Sequence, residues 1–242
     1  MSLFTVRQLS IGYDTTLVAD IDLDLHAGEV MAMVGRNGQG KTTLFKTLAG
    51  IHPALSGEML LEGKSVHDWS VNERARKLAL VFTERHVLGG FDVRAYVALG
   101  RHPYRRNWHA LSEEDQQAID RAIELTGLRH LTTRTMDRLS DGERQRASLA
   151  RALAQETSTI FLDEPTAFLD YPGKLEVMQI LRSLATDLNK LVVFSTHEIN
   201  LIPEVVDGVI YVNEGKCITD RSTGDALSDS LTTWFGKVKE IS

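Results

Sequence analysis

The eight residues GRNGQGKT, Gly35 to Thr42, constrain the fold more than any other stretch of the chain. They fit the pattern G-x-x-x-x-G-K-[ST], and the flanking sequence fits as well. Before them, VMAMV (30–34) is a short, continuous apolar run of the kind that forms a strand buried on both faces. After them, KTTLFKTLAG (41–50) reads as a helix stopped by Gly50, with Pro53 beyond. A strand, a glycine-rich turn and a helix in that order make a phosphate loop. The glycines let successive backbone N–H groups turn inward around phosphate oxygens, and the helix start adds its dipole. On this reading Gly35, Arg36, Asn37, Gly38, Gln39, Gly40, Lys41, Thr42 and Thr43 bind a nucleotide. Lys41 reaches the β- and γ-phosphates, and the Thr42 hydroxyl meets magnesium.

TIFLDEP (159–165) supplies a second part. An apolar strand delivers two adjacent carboxylates to its C-terminal edge, where ligands bind in open α/β sheets. Neighbouring strand side chains point to opposite faces, so Asp163 and Glu164 are expected to do different work. Asp163 completes the magnesium shell and Glu164 polarises the attacking water.

The rest of the chain organises around these parts. DIDLDLH (20–26) alternates strictly between charged and aliphatic residues, as a half-buried antiparallel strand does, and LFTVRQLSI (3–11) does so less regularly. From about Arg85 to Met136 strand-like runs disappear. VRAYVALG (93–100) and SEEDQQAIDRAIELTG (112–127) read as helices, the second with Ser112 as N-cap and Gly127 as its end. Strand signals return at TIFLD (159–163) and LVVFST (191–196). Between them KLEVMQILRSLATDLNK carries Leu175, Met178, Leu181, Leu184 and Leu188 at helical spacing. This implies a parallel pair with a right-handed crossover. VIYVNEGKCIT (209–219) reads as a hairpin turning at Asn213 to Gly215.

LSDGERQRASLARALAQ (139–155) reads as a helix start. Ser140 and Glu143 have the spacing of a capping box, and Ala147, Ala150, Leu153 and Ala154 fall on one apolar face. A helix start is also a place for an anion.

Taken together, these motifs resemble the ATP-binding cassette (ABC) ATPases along most of the chain. GRNGQGKT looks like the Walker A loop and TIFLDE like the Walker B strand. LSDGE (139–143) falls where the family has its LSGGQ signature. TAFLD (166–170) looks like the D-loop, ending in Asp170. STH (195–197) puts His197 where the family's histidine contacts the γ-phosphate, and Tyr13 sits where the family stacks an aromatic on adenine. The resemblance implies an α/β fold. Its P-loop NTPase core has a mixed sheet, an N-terminal antiparallel β subdomain and an inserted α-helical subdomain. Residues 1–84 and 136–242 would form the nucleotide-binding core of a single ABC ATPase domain, and 85–135 the helical insertion. It also implies a head-to-tail homodimer. Each ATP, with Mg2+, would lie between one copy's Walker A loop and the other's signature, where Ser140, Asp141, Gly142 and Glu143 stand.

Two departures from the family pattern carry consequences. The strand LALVFTER has no glutamine where the family has its Q-loop, leaving Thr83 or Glu84 as the metal link. Asp141 replaces a signature glycine. Like charges about 4 Å apart at an effective dielectric of 20 repel by roughly 4 kcal/mol. Asp141 is therefore expected to face outward, toward Arg144 or Arg146, leaving Ser140 and the Gly142 backbone to bind the anion.

FDVRAYVALGRHPYRRNW (91–108) resembles V-x-x-x-V-x-x-G-R-x-P, found in importer ATPases for iron-siderophore complexes, haem and cobalamin, and GDALSDSLTTWFG resembles that group's C-terminus. The resemblance implies work at the cytoplasmic face of the cell membrane with integral permease subunits, and through them a substrate-binding protein. The rivals are a soluble ABC ATPase outside transport and a regulatory subunit that holds ATP but hardly hydrolyses it. A net charge of −6 argues against nucleic acid as a partner. Arg101, His102, Tyr104, Arg105, Arg106, Trp108 and His109 read as a basic, aromatic loop. Its alternatives are a membrane partner, anionic headgroups, a plain solvated surface or nucleic acid. The single Cys217 suits a reducing compartment. No signal-peptide pattern opens the chain, and no apolar run is long enough to span a bilayer.

Overall fold

The computed structural model describes residues 2–82, 90–105 and 111–239, the last five of these as backbone only. The element order is β1 (Ser2–Gly12), β2 (Thr16–His26), β3 (Val30–Val34), α1 (Lys41–Leu48), β4 (Ser56–Leu61), β5 (Lys64–Ser65), α2 (Val71–Ala75), β6 (Leu78–Val81), α3 (Val93–Ala98), α4 (Glu113–Leu125), α5 (Asp141–Ala154), β7 (Thr159–Leu162), α6 (Tyr171–Thr186), β8 (Leu191–Ser195), β9 (Gly208–Asn213), β10 (Lys216–Asp220) and α7 (Gly224–Lys239). Two compact units divide the chain: Met1–Val66 with Leu181–Ser242, and His67–Ile180.

In the first unit, β1 runs antiparallel between β2 and β4, with β5 beyond β4. The weak alternation of LFTVRQLSI has a physical cause. Gln8 takes φ +46 and the β1–β2 register shifts between Val6 and Leu9. That is a bulge, which adds a residue and resets the period. Phe4 and Val6 before it, and Leu9 and Ile11 after it, all stay fully buried. A second sheet has the order β10, β9, β3, β8. β3 is parallel to both β8 and β9, and β10 closes an antiparallel hairpin on β9. Every residue of β3 and β8 is buried, as the apolar runs demand. The hairpin turns on Glu214 (φ +48) and Gly215 (φ +77), a pair of left-handed residues suited to the twist of the strands. Burial pushes the Cys217 thiol on β10 up to about 12, which favours its protonated form at neutral pH.

In the second unit β6 and β7 pair in parallel, and α3, α4 and α5 pack on one another. The capping box expected at Ser140 forms, and the N-cap Ser112 makes one as well, with Asp115. The predicted face of α5 is buried at Ala147, Ala150, Leu153 and Ala154.

The helix after β7 departs from the expected one. It begins at Tyr171, before Lys174, because the Asp170 side chain accepts a hydrogen bond from Gly173 N (3.0 Å) and caps it; Pro172 is tolerated in a first turn. It ends at Thr186. Met178, Leu181 and Leu184 are buried, but Leu175 and Leu188 are exposed.

Candidate functional site

The phosphate loop is shaped by backbone contacts that only glycine permits. β3 delivers the chain to Gly35, where an added Cβ would lie 2.1 Å from the Val212 carbonyl oxygen of β9. Gly40, the N-cap of α1, takes φ +100, and Gly38 takes φ +79. Lys41 folds back over the loop. Its ammonium donates to Gly35 O (2.7 Å) and Arg36 O (3.0 Å), and the side chain is buried. Gln39 ties the loop to the β9–β10 turn by accepting from Glu214 N (2.9 Å). Arg36, Asn37, Gly38 and Thr42 are exposed, while Thr43 is buried. Backbone N–H groups, an ammonium and a helix start thus meet in one loop, which is the donor set a polyphosphate requires.

Two further groups belong to the same unit. Tyr13 sits in the turn from β1 to β2 and is 59% exposed, a large aromatic left to solvent. His197 is exposed just beyond buried β8, in a turn where Thr196 Oγ1 accepts from Glu198 N (2.9 Å) and Thr196 N donates to Met33 O (3.1 Å).

In the other unit, β7 ends at Leu162, and Asp163 N donates to Val81 O (2.8 Å), extending the ladder by one bond. Strand alternation therefore does not separate Asp163 from Glu164, contrary to expectation. What separates them is backbone: Glu164 takes φ +49, a left-handed conformation rare for a non-glycine residue and found at sites where geometry is imposed. Ala167 N closes the turn onto Glu164 O (3.0 Å). Phe168, at φ +64, is 58% exposed.

The start of α5 is fully engaged locally. Ser140 N donates to Glu143 Oε2 (2.7 Å), and Glu143 N donates to Ser140 Oγ (3.2 Å). The bond from the Ser140 backbone holds the Glu143 carboxyl below the usual carboxylate range. Asp141 turns to Arg144, whose Nη2 donates to its Oδ1 (2.5 Å), and the carboxylate is largely exposed. Arg146 pairs instead with Glu176 (3.0 Å). A groove of about 500 Å³ opens here, lined by Ser140, Asp141, Glu143, Arg146, Phe168 and Asp170 among others.

Other expectations fare differently. Thr83 and Glu84 lie outside the described residues, as do Arg106, Trp108 and His109. Arg101 is buried and Tyr104 half-buried, and both bond within their own unit. The Arg101 guanidinium is 4% exposed and donates to Asp115 (2.7 Å), Glu156 (2.8 Å) and Ala154 O (2.8 Å). It also lies 4.1 Å from the Tyr104 ring centroid, and the Tyr104 hydroxyl donates to Gln155 O (2.9 Å). These residues hold the helices of their unit together; burial beside a carboxylate, not composition, decides their role. Sequence reasoning missed His52, which belongs to no motif and stands out only through its contacts.

The glycine-shaped loop after β3 and the buried strand ending in two carboxylates define a P-loop nucleotide-binding protein of α/β class. The chain belongs to the ABC transporter family, whose profile matches residues 18–167, and is an ATPase of that family. It is 34% identical over 232 residues to the achromobactin transport ATP-binding protein of Dickeya dadantii, covering 96% of this chain and 86% of that protein. It is 31% identical over 226 residues to the ferric enterobactin transport ATP-binding protein of Escherichia coli, covering 93% and 83%. Among solved structures it is similar to CbiO1 of Clostridium perfringens, part of an ABC transporter complex, with a TM-score of 0.81, 29% identity and coverage of 91% and 88%.

Proposed function

We propose that this chain is the ATP-hydrolysing subunit of an importer for an iron-siderophore complex or a related metal chelate. It works as a head-to-tail homodimer on the cytoplasmic face of the cell membrane and drives a separate permease fed by a substrate-binding protein. The observation that carries this reading is similarity along nearly the whole chain to relatives named for transport of achromobactin and ferric enterobactin. Among the described residues no helix is long and apolar enough to cross a membrane, so the spanning is assigned to the partner.

In this reading Tyr13 stacks on adenine, residues 35–43 cradle the phosphates, Glu164 polarises the attacking water and His197 contacts the γ-phosphate. Ser140 and the Gly142 backbone receive the γ-phosphate bound to the other copy, and Asp170 belongs to the D-loop beside them. Thr42 and Asp163, with Thr83 or Glu84, are assigned to Mg2+. Their hydroxyl and carboxylate oxygens are the hard donors this ion takes, and both Thr42 and Asp163 are at least partly exposed. When bound, the metal neutralises charge developing on the phosphates. Residues 85–135 are taken as the inserted helical subdomain.

The test is purification from the native membrane. The chain is expected to copurify with an integral permease, and the complex in liposomes to hydrolyse ATP faster when a binding protein loaded with ferric chelate is added. A chain that never associates with a membrane subunit would favour the soluble alternative, and a complex that binds ATP without turnover would favour the regulatory one.

A further inference from the structure

His52 lies just past α1, the helix that opens with Lys41 and Thr42, and its backbone N–H still bonds to Lys46 O (3.1 Å). Its side chain reaches the β1–β2 turn, 40 positions away. Nε2 stands 2.7 Å from Gly12 O. A carbonyl oxygen only accepts, so Nε2 carries the hydrogen and donates it. The imidazole also packs on the Tyr13 ring, with centroids 4.5 Å apart at a tilt of 51°. The turn itself is tight: a Cβ at Gly12 would fall 2.1 Å from Thr15 O. Tyr13 is an exposed aromatic on this turn; His52 supplies a polar anchor behind it and a ring contact beside it.

We propose that His52 is a positioning residue for the purine end of the nucleotide site, holding Tyr13 where a base stacks; this rests on Tyr13 being the base platform. The segment that starts with the phosphate-binding Lys41 thereby also sets the base end. One short element fixes the spacing between the two halves of the ligand. Ordering an aromatic platform before the base arrives removes an entropic cost from binding.

The test compares ATP with inorganic tripolyphosphate, which engages the phosphate loop but has no base. By calorimetry H52L is expected to bind ATP roughly fivefold more weakly, the worth of a lost hydrogen bond, and tripolyphosphate as the wild type does. The KM for ATP rises while kcat at saturation is unchanged. H52Q, which keeps an N–H donor toward Gly12 O, retains most of the affinity. Y13A weakens ATP binding too, and H52L adds nothing to it, as coupled neighbours require. If Y13A is weakened but H52L is not, this inference fails alone. If neither variant is weakened, the platform reading fails and takes this inference with it. Equal losses for ATP and tripolyphosphate also overturn it, by showing a general structural role. Should H52L not fold, H52N, too short to reach Gly12 O, takes its place.

Discussion

Arg101 stands in sequence among His102, Tyr104 and Arg105, yet its guanidinium is buried between Asp115 and Glu156. Burial works against ionisation of Asp115, but the bonds from Arg101 and Ser112 outweigh it and hold the carboxyl below its usual range. Burial likewise opposes ionisation of Glu156, and Arg121 and Arg101 outweigh it. A carboxyl whose folded value is depressed stabilises the fold above its unfolded value and loses that contribution as pH falls through the folded one. Wild-type stability is therefore expected to drop below about pH 4, and more shallowly in R101L/D115N, which lacks the central pair. R101L alone leaves Asp115 buried without its main partner and is expected to cost about 3–5 kcal/mol at pH 7. The double variant should recover part of that. Urea denaturation at pH 7, 4 and 3 measures all three. Equal stability of R101L and wild type at pH 7 would show that the pair holds nothing.

At the scale of the element, α5 joins a cap to a proposed binding role. Ser140 satisfies an orphan N–H of the helix start while Glu143 reaches back to the Ser140 backbone. S140A is expected to lower stability by about 1 kcal/mol. Because the same hydroxyl is assigned to the partner's γ-phosphate, ATP turnover should fall further than this loss explains, with nucleotide affinity of the isolated chain unchanged. Calorimetric unfolding beside an ATPase assay separates the two effects. α5 was legible in the sequence because its cap, its apolar face and its spacing are all local. β3, β7 and β8 were legible because continuous burial leaves a continuous apolar run. β1 was only half legible, since a bulge at Gln8 breaks its period. The start of α6 was misplaced because its cap is Asp170, already read as part of a motif. The site followed the same division. The phosphate loop, the carboxylate pair and the signature are proposed from contiguous stretches, where spacing alone carries a reading. The support of Tyr13 by His52, the approach of Gly35 to Val212 and the tie of Gln39 to Glu214 join distant segments, and nothing local announces them.

For the whole molecule, the residues proposed to meet ATP are divided between the two units. Lys41 and His197 belong to the unit made of Met1–Val66 and Leu181–Ser242, and the LSDGE helix start belongs to His67–Ile180. The proposed pairing of two copies gives each ATP one of each. The odd residue in that scheme is Asp141. Paired with Arg144, its carboxylate is compensated at the helix start, so the signature can take an anion without an uncompensated negative charge beside it. In the proposed mechanism, closure of the dimer depends on ATP and reopening on hydrolysis, for which Glu164 is the base. E164Q keeps the shape of the side chain but removes the proposed base. Loss of a general base typically costs about 100-fold or more in rate. The variant is therefore expected to bind ATP normally, to turn over at least about 100-fold more slowly, and to accumulate as an ATP-bound dimer. Light scattering should report twice the monomer mass with ATP and the monomer mass with ADP. A variant that stays monomeric at saturating ATP would remove the dimer from the mechanism. One that turns over normally would remove Glu164.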